Sequence, residues 1–332
     1  MFGKQNRKLF FILTLFLPFF LLITSANSKD DNDDNFSNAR QSFYKLNNTE
    51  LQKSIETYKK ILEKDANSAK AYAGIAEAYS FIGLINKESK VEYENEFNLA
   101  YENMEKALKL DPDSSDVKRA LAYIYLNLNR PKEALDIANK LLLEDKENFE
   151  NVYLVWAADG KKPEDARINT ILQSNPKFIL ANYDLAVAYY VRRRDPARAI
   201  IHLENVLKIS DSPYFRTYLG RMYRSKKALT RSIEEFDKAL KMNPNYSFAK
   251  INKGISLHYV GKYKESTQYL LEGLNSNPQF SEAYFFLGSN YFKTGDKNNS
   301  LLNYNRFIKE TAGDSKYTNY INEARKNISS LN

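Results

Sequence analysis

The same residues return every 34 positions. Blocks that begin at Pro213, Ser247 and Ser281 carry Gly220, Gly254 and Gly288 at their eighth place, Ser232, Ser266 and Ser300 at their twentieth, and Phe236, Leu270 and Tyr304 at their twenty-fourth. Pro244 and Pro278 stand at the thirty-second place of the first two. A fixed period of this size means that one supersecondary unit is stacked on copies of itself, because a single unit cannot bury its own apolar face. Upstream, Leu121, Ala122, Tyr125, Ala134, Ala138 and Leu141 fall in register in a block from Ser115 to Asn148. Leu185, Ala186, Tyr189 and Ala199 do so, with one single-residue shift, in a block from Ile179 to Ser212. A chain of 332 residues could hold two or three ordinary domains; the period selects one extended array.

Within a block, places 4, 7, 8 and 11 share one helical face, and places 20, 24, 27 and 28 share another, so each block reads as two antiparallel helices. Gly, Ala or Ser at places 8 and 20 lets the two backbones approach. The eight prolines after Pro18 all fall in turns or first helical turns, where no backbone N–H is missed. This pattern resembles the tetratricopeptide repeat, most closely over residues 284–296. The resemblance implies an all-α fold: a right-handed α-solenoid of about eight antiparallel helix pairs, at 35–68, 69–114, 115–148, 149–178, 179–212, 213–246, 247–280 and 281–314, with a capping helix over 315–332. Several blocks depart from the pattern. Lys250 and Lys253 stand where a large aromatic and a leucine are usual, 149–178 is about four residues short, and 35–68 has a weak first helix. The block 69–114 holds 12 extra residues, Lys87 to Asn98, without Gly or Pro; they are expected to lengthen its second helix and to serve either as a contact arm or as a plain surface extension.

The first 26 residues form a separate segment. Lys4, Arg7 and Lys8 precede an apolar run from Leu9 to Ile23, followed by Thr24, Ser25 and Ala26, the layout of an export signal. As a helix the run would reach roughly 22 Å, short of the roughly 30 Å hydrocarbon core, so cleavage after Ala26 is expected rather than a permanent anchor through residues 9–23. The expected location is outside the cytoplasm, in the periplasm or cell envelope if the source is bacterial, with membrane contact only through this segment if it is retained. Residues 27–34, rich in Asp, read as a flexible acidic tether. Removing the three basic residues of the signal from the formal +8 leaves +5, too dilute over about 300 residues for a nucleic-acid footprint.

No catalytic group, cofactor site or metal site emerges. The chain has no Cys, which removes thiolate chemistry and thiolate metal sites. His202 and His258 lie on different repeats with no ligand spacing, and Gly254 with Gly261-Lys262 misses the spacing of a phosphate loop. The family resemblance points instead to a concave wall, made by places 2, 5, 9 and 12 of the first helices, that holds a peptide segment of a protein partner. Carried over to this chain, the wall comprises Tyr183, Val187 and Tyr190, then Thr217, Arg221 and Arg224. It continues with Ile251, Ile255 and His258, and ends with Phe285, Ser289 and Phe292. Eleven Lys or Arg against three Asp or Glu between Arg192 and Arg231 make a basic rim, with Arg192, Arg193, Arg194, Lys226 and Lys227 at the turns, which favours an acidic partner. The expected function is an exported protein-interaction scaffold without catalysis. Two alternatives stay open: a subunit presenting substrate to an envelope-assembly enzyme, and a single-stranded nucleic-acid binder.

Overall fold

The computed structural model describes residues 33–331. The signal segment and residues 27–32 of the expected tether lie outside them; Asp33 and Asp34 are already helical rather than tether. Among the described residues there are helices and one 3-10 turn, and no strand. Eight helix pairs follow one another: α1 (33–43) and α2 (Asn48–Lys64), α3 (Ala69–Glu88) and α4 (Glu94–Leu110), α5 (Ser115–Asn127) and α6 (Pro131–Glu144), α7 (Phe149–Ala158) and α8 (Ala166–Ser174). Then come α9 (Ile179–Arg192) and α10 (Pro196–Leu207), α11 (Pro213–Ser225) and α12 (Leu229–Met242), α13 (Ser247–Tyr259) and α14 (Tyr263–Ser276), α15 (Ser281–Thr294) and α16 (Lys297–Glu310). The turn Ser315–Tyr317 leads into a last helix, α17 (Thr318–Leu331).

The recurring small residues set how closely the helices meet. A Cβ on Gly288 would stand 2.6 Å from Cδ1 of Tyr304, the ring at the twenty-fourth place of the same repeat. The serine at place 20 closes the contact from the other side. Ser266 Oγ donates to the Gly254 carbonyl at 2.7 Å and Ser300 Oγ to the Gly288 carbonyl at 2.9 Å. Each of these buried hydroxyls therefore has its partner, as a buried polar group must. Proline at the first position of α6, α10 and α11 starts those helices without losing a backbone hydrogen bond.

The irregular blocks resolve into local adjustments. Lys253 keeps its stem in the helix interface and brings Nζ to Asp237 at 2.6 Å and to the Tyr269 hydroxyl at 2.7 Å. A lysine can thus replace a core leucine when its ammonium reaches a carboxylate at the edge. The short repeat loses length from both helices, α7 having 10 residues and α8 nine, and Trp156 Nε1 pins the intervening loop by donating to the Lys162 carbonyl at 2.9 Å. The weak first helix of the opening repeat does form, with Ala39 and Phe43 fully buried.

The extra residues act differently from the sequence expectation. They lengthen mainly the first helix of the pair: α3 has 20 residues against 13 in α5, while α4 has 17 against 14 in α6. The chain turns at 89–93, with Lys90 in the left-handed region at φ 54°. The result is a helical arm that carries residues 86–91 across the inside of the superhelix.

Candidate functional site

The tip of this arm reaches the wall expected to bind a partner at Tyr183. Glu88, the last residue of α3, accepts hydrogen bonds from the hydroxyls of Tyr183 at 2.7 Å, Tyr218 at 2.8 Å and Tyr214. Ser89 Oγ meets the Tyr246 hydroxyl at 2.8 Å, and Asn277 Nδ2 donates to the carbonyls of Ser89, at 3.3 Å, and Lys90. Lys90 Nζ lies 4.6 Å from the centre of the Phe280 ring. One turn of chain from the second repeat thus touches α9, α11 and the two loops that follow α12 and α14. Tyr183 is consequently a buried internal contact and not an open binding residue.

Other expected wall residues are likewise engaged within the chain. Thr217 is fully buried and donates to the Pro213 carbonyl at 2.7 Å. Ile251 is fully buried where α13 meets Gly273 of α14. Phe285 is covered by α17, its ring 4.7 Å from that of Tyr320, and Ser289 is buried beside Tyr304. His258 turns Nδ1 to Asn290 Oδ1 at 2.6 Å, and Val187 and Phe292 are half-buried against the core. The reasons differ by position: the arm covers Tyr183, α14 packs on Ile251, α15 meets His258 and α17 covers Phe285. Burial lowers the pKa of both His258 and His202, and His202 Nδ1 likewise meets an asparagine oxygen, Asn182 Oδ1, at 3.1 Å.

What stays open is a cavity of about 780 Å³ between α11, α13 and the start of α17. Tyr190, Arg221, Arg224 and Ile255 of the expected wall line it, with Lys227 of the rim. The sequence reading missed Lys316, Tyr317 and Tyr320, because the C-terminal segment carries no repeat pattern that would place it here, and Tyr259, which ends α13 one place past the expected wall position His258. Arg224 is half-buried and fixed by Asn252, its Nη1 donating to the backbone carbonyl and its Nη2 to Oδ1, both at 2.9 Å. The half-buried Arg221 stacks its guanidinium 5.1 Å from the Tyr218 ring centre and 5.5 Å from that of Phe248. Among the described residues neither arginine has a carboxylate within ion-pair distance. Glu282 is the one acidic residue of the lining. Burial lowers the pKa of Arg224, Glu282 raises it and Arg221 lowers it further; Lys90 is lowered by burial and by the charge of Lys316. A cavity of this size with convergent polar groups has the form of a binding site.

Three tetratricopeptide repeat family models match, over residues 93–155, 189–247 and 281–312. The chain belongs to the tetratricopeptide repeat proteins. It is 38% identical over 94 residues to the TPR repeat-containing protein MJ0940 of Methanocaldococcus jannaschii, covering 28% of this chain and 29% of that one. The chain spans under a third of the length of the curated relatives it matches. Among solved structures, Cut9 in the APC/C Cut9–Hcn1 hetero-tetramer superposes with a TM-score of 0.63 at 14% identity, over 86% of this chain and 54% of that one. PilW, a type IV pilus biogenesis factor, does so with a TM-score of 0.53 at 11% identity, over 64% of this chain and 98% of that one. These likenesses establish the solenoid and nothing about its ligand.

The repeat fold is that of a protein-interaction scaffold, and two charged features lie along the array, the first of which meets the cavity at Lys227. The rim residues Arg192, Arg193, Arg194, Lys226 and Lys227 are exposed at successive turns, with Arg193 paired to Glu164. Near the other end, Arg40 of α1 bridges Glu77 of α3, at 2.6 Å, and Glu150 of α7. Glu150 also accepts from Tyr44 at 2.6 Å and Tyr123 at 3.0 Å, whereas Glu77 Oε1 is buried without a partner among the described residues. One cation faces two carboxylates. Against its burial, Arg40, Arg119 and the two hydroxyls hold Glu150 below the usual range, while burial and the charge of Glu150 push Glu77 up to about 7.

Proposed function

We propose that this chain is an exported, non-catalytic scaffold that holds a protein partner through the cavity between α11, α13 and α17. The observation that carries the reading is the pair Arg221 and Arg224: two half-buried guanidinium groups facing an open cavity, with no carboxylate of the described chain paired to either. Aromatic and arginine side chains in a desolvated recess are the commonest anchors of protein interfaces. Tyr190, Tyr259 and Tyr320 supply the first kind beside the second. Export rests on the basic, apolar and small-residue order of the first 26 residues.

Site-specific photo-crosslinking tests the binding reading. A benzoylphenylalanine at Tyr190 or Tyr259, introduced into the full chain in its own cell, should trap a discrete protein, and the same group at Leu302, exposed on α16, should not. Crosslinks equal at all three positions, or absent from the cavity positions alone, would remove the site. Export is tested by fractionation and N-terminal sequencing: a chain recovered outside the cytoplasm and beginning at Asn27 is expected. A cytoplasmic chain that begins at Met1 would overturn it.

A further inference from the structure

A second cavity, of about 470 Å³, lies where distant repeats meet, and it shares no lining residue with the one that holds Arg221 and Arg224. Its walls are the start of α2, the arm tip, the entry to α11 and the chain from Met242 to Tyr246. The array thus curls far enough for its first two repeats to touch its fifth and sixth. Hydrogen bonds fasten these walls to one another: Asn47 Nδ2 donates to Ser210 Oγ at 3.0 Å, Asn48 Nδ2 to Asn86 Oδ1 at 3.3 Å, and Ser89 Oγ meets the Tyr246 hydroxyl at 2.8 Å. Charged residues make up 27% of the chain, yet among the described residues Asp211 is the one charge of this lining. Arg216 occupies both of its carboxylate oxygens at 2.7 Å. The cavity therefore presents amides and hydroxyls rather than a field that draws an ion. Thr49 Oγ1, Asn48 Oδ1, Asn86 Nδ2 and Asn243 Nδ2 have no partner among the described residues. Tyr214 and Tyr246, their hydroxyls engaged by Glu88 and Ser89, join Val91 and Met242 in giving the recess apolar surface.

We propose that this cavity binds a neutral saccharide. Each sugar hydroxyl both donates and accepts, so adjacent hydroxyls pair with amide side chains that offer oxygen and N–H side by side. The C–H face of the same ring is apolar and rests on aromatic and aliphatic side chains. An ionic ligand finds no counter-charge here, because Arg216 already neutralises Asp211. A purely apolar ligand would strip water from the amides and give them nothing in return. A peptide main chain spaces its donors and acceptors along a strand, whereas the free groups of Asn48, Thr49 and Asn86 crowd one corner of the recess. The volume falls within the roughly 300–1,000 Å³ of small-molecule sites. It suits a short saccharide, either free or at the end of a glycan.

The test is a glycan array probed with the purified full chain. Retention on immobilised uncharged oligosaccharides is expected, with heparin, polysialic acid and chitosan at background. The uncharged oligosaccharide retained most strongly then serves, free in solution, as the probe for titration calorimetry. Its affinity should be indifferent to added salt, fall about tenfold in Asn243→Ala and in Thr49→Val, and stay unchanged in Asn303→Ala, on α16 outside the cavity. Thr49 is exposed and its hydroxyl unpaired, so its variant reports on contact even if Asn243→Ala, which also loses the bond from the Asn245 N–H, loosens the loop. Equal affinity for the terminal monosaccharide alone would mark a free sugar as the ligand, and weaker affinity a glycan end; either upholds the proposal. No retention of uncharged oligosaccharides, retention of charged ones only, affinity unchanged in Thr49→Val, or equal binding of N-acetyl-tetraglycine amide, a bare peptide main chain, would each overturn it. Those results would leave the crosslinking test at Tyr190 and Tyr259 untouched, since that cavity is a separate one.

Discussion

At the scale of single residues, Glu77 and Gly288 show two kinds of legibility. Gly288 was readable, because a glycine recurring every 34 places has to mark a close approach, and the ring of Tyr304 fills the space a side chain would need. We expect Gly288→Leu to overpack this contact and lower stability by about 3 kcal/mol, read from chemical denaturation. Glu77 was not readable. Nothing in its neighbourhood of alanines announces that Arg40 and Glu150, 37 residues before and 73 after, converge on it. Its folded pKa of about 7 lies above the ordinary 4.5, so between those values the folded chain binds the proton that the unfolded chain has released. Stability from this group is full below about pH 4.5 and is lost as pH rises to about 7, a decline on the order of 3 kcal/mol. Glu150, held below its ordinary range, has the opposite sense and acts only at more acid pH. Glu77→Gln should therefore flatten the fall in stability from pH 4.5 to 7 relative to the parent chain. Parallel curves for the two proteins would mean that Glu77 is ionised throughout.

At the scale of elements, the arm made by α3 and the start of α4 is where sequence and structure part. The 12 extra residues were evident from the period, but their course was not. The segment lacks Gly and Pro, so helix seemed continuous, yet the turn uses Lys90 at positive φ. The equivalent turns of other repeats also put ordinary residues there, Leu46, Asn129, Lys161, Arg194 and Lys227, Lys161 following Gly160, while the last two repeats use Gly261 and Gly295. Glycine alone was thus a poor marker of the turn in this chain. The arm's anchoring, too, comes from contacts 95 and 126 residues away in sequence, beyond any local pattern. Replacing Glu88 by Ala removes the acceptor shared by three tyrosines, and we expect a loss of about 2 kcal/mol. Faster amide exchange at α9 and α11 should accompany it, while α5 and α6 keep their protection. Unchanged exchange at α11 would show that the tyrosines hold together without the arm.

At the scale of the whole molecule, the arm alters what kind of solenoid this is. A repeat array is ordinarily stabilised by contacts between neighbours alone, so it can open at its weakest junction while the rest stays folded. The weakest junction here is the short repeat, where α8 buries only Ile168 and Ile171 before α9 begins. Spanning that junction, Glu88 and the carbonyls of Ser89 and Lys90 tie the second repeat to Tyr183, Tyr214, Tyr218 and Asn277 of later ones. The same tie covers Tyr183 of the expected wall and leaves Arg221 and Arg224 lining a cavity, which is why reading the wall position by position found those two arginines but also named a residue that the chain covers itself. Opening the junction requires these long-range bonds to break with it, so we expect the parent chain to unfold in urea as one cooperative transition. Removing the tie in Glu88→Ala combined with Asn277→Ala should separate unfolding into two transitions, each with a smaller dependence on urea because each exposes only part of the surface. Amide exchange would assign them to the segments before and after α8. A single transition of unchanged slope in the double variant would mean that neighbour contacts across α8 and α9 suffice to couple the halves, and that the arm shapes the cavity without bracing the array.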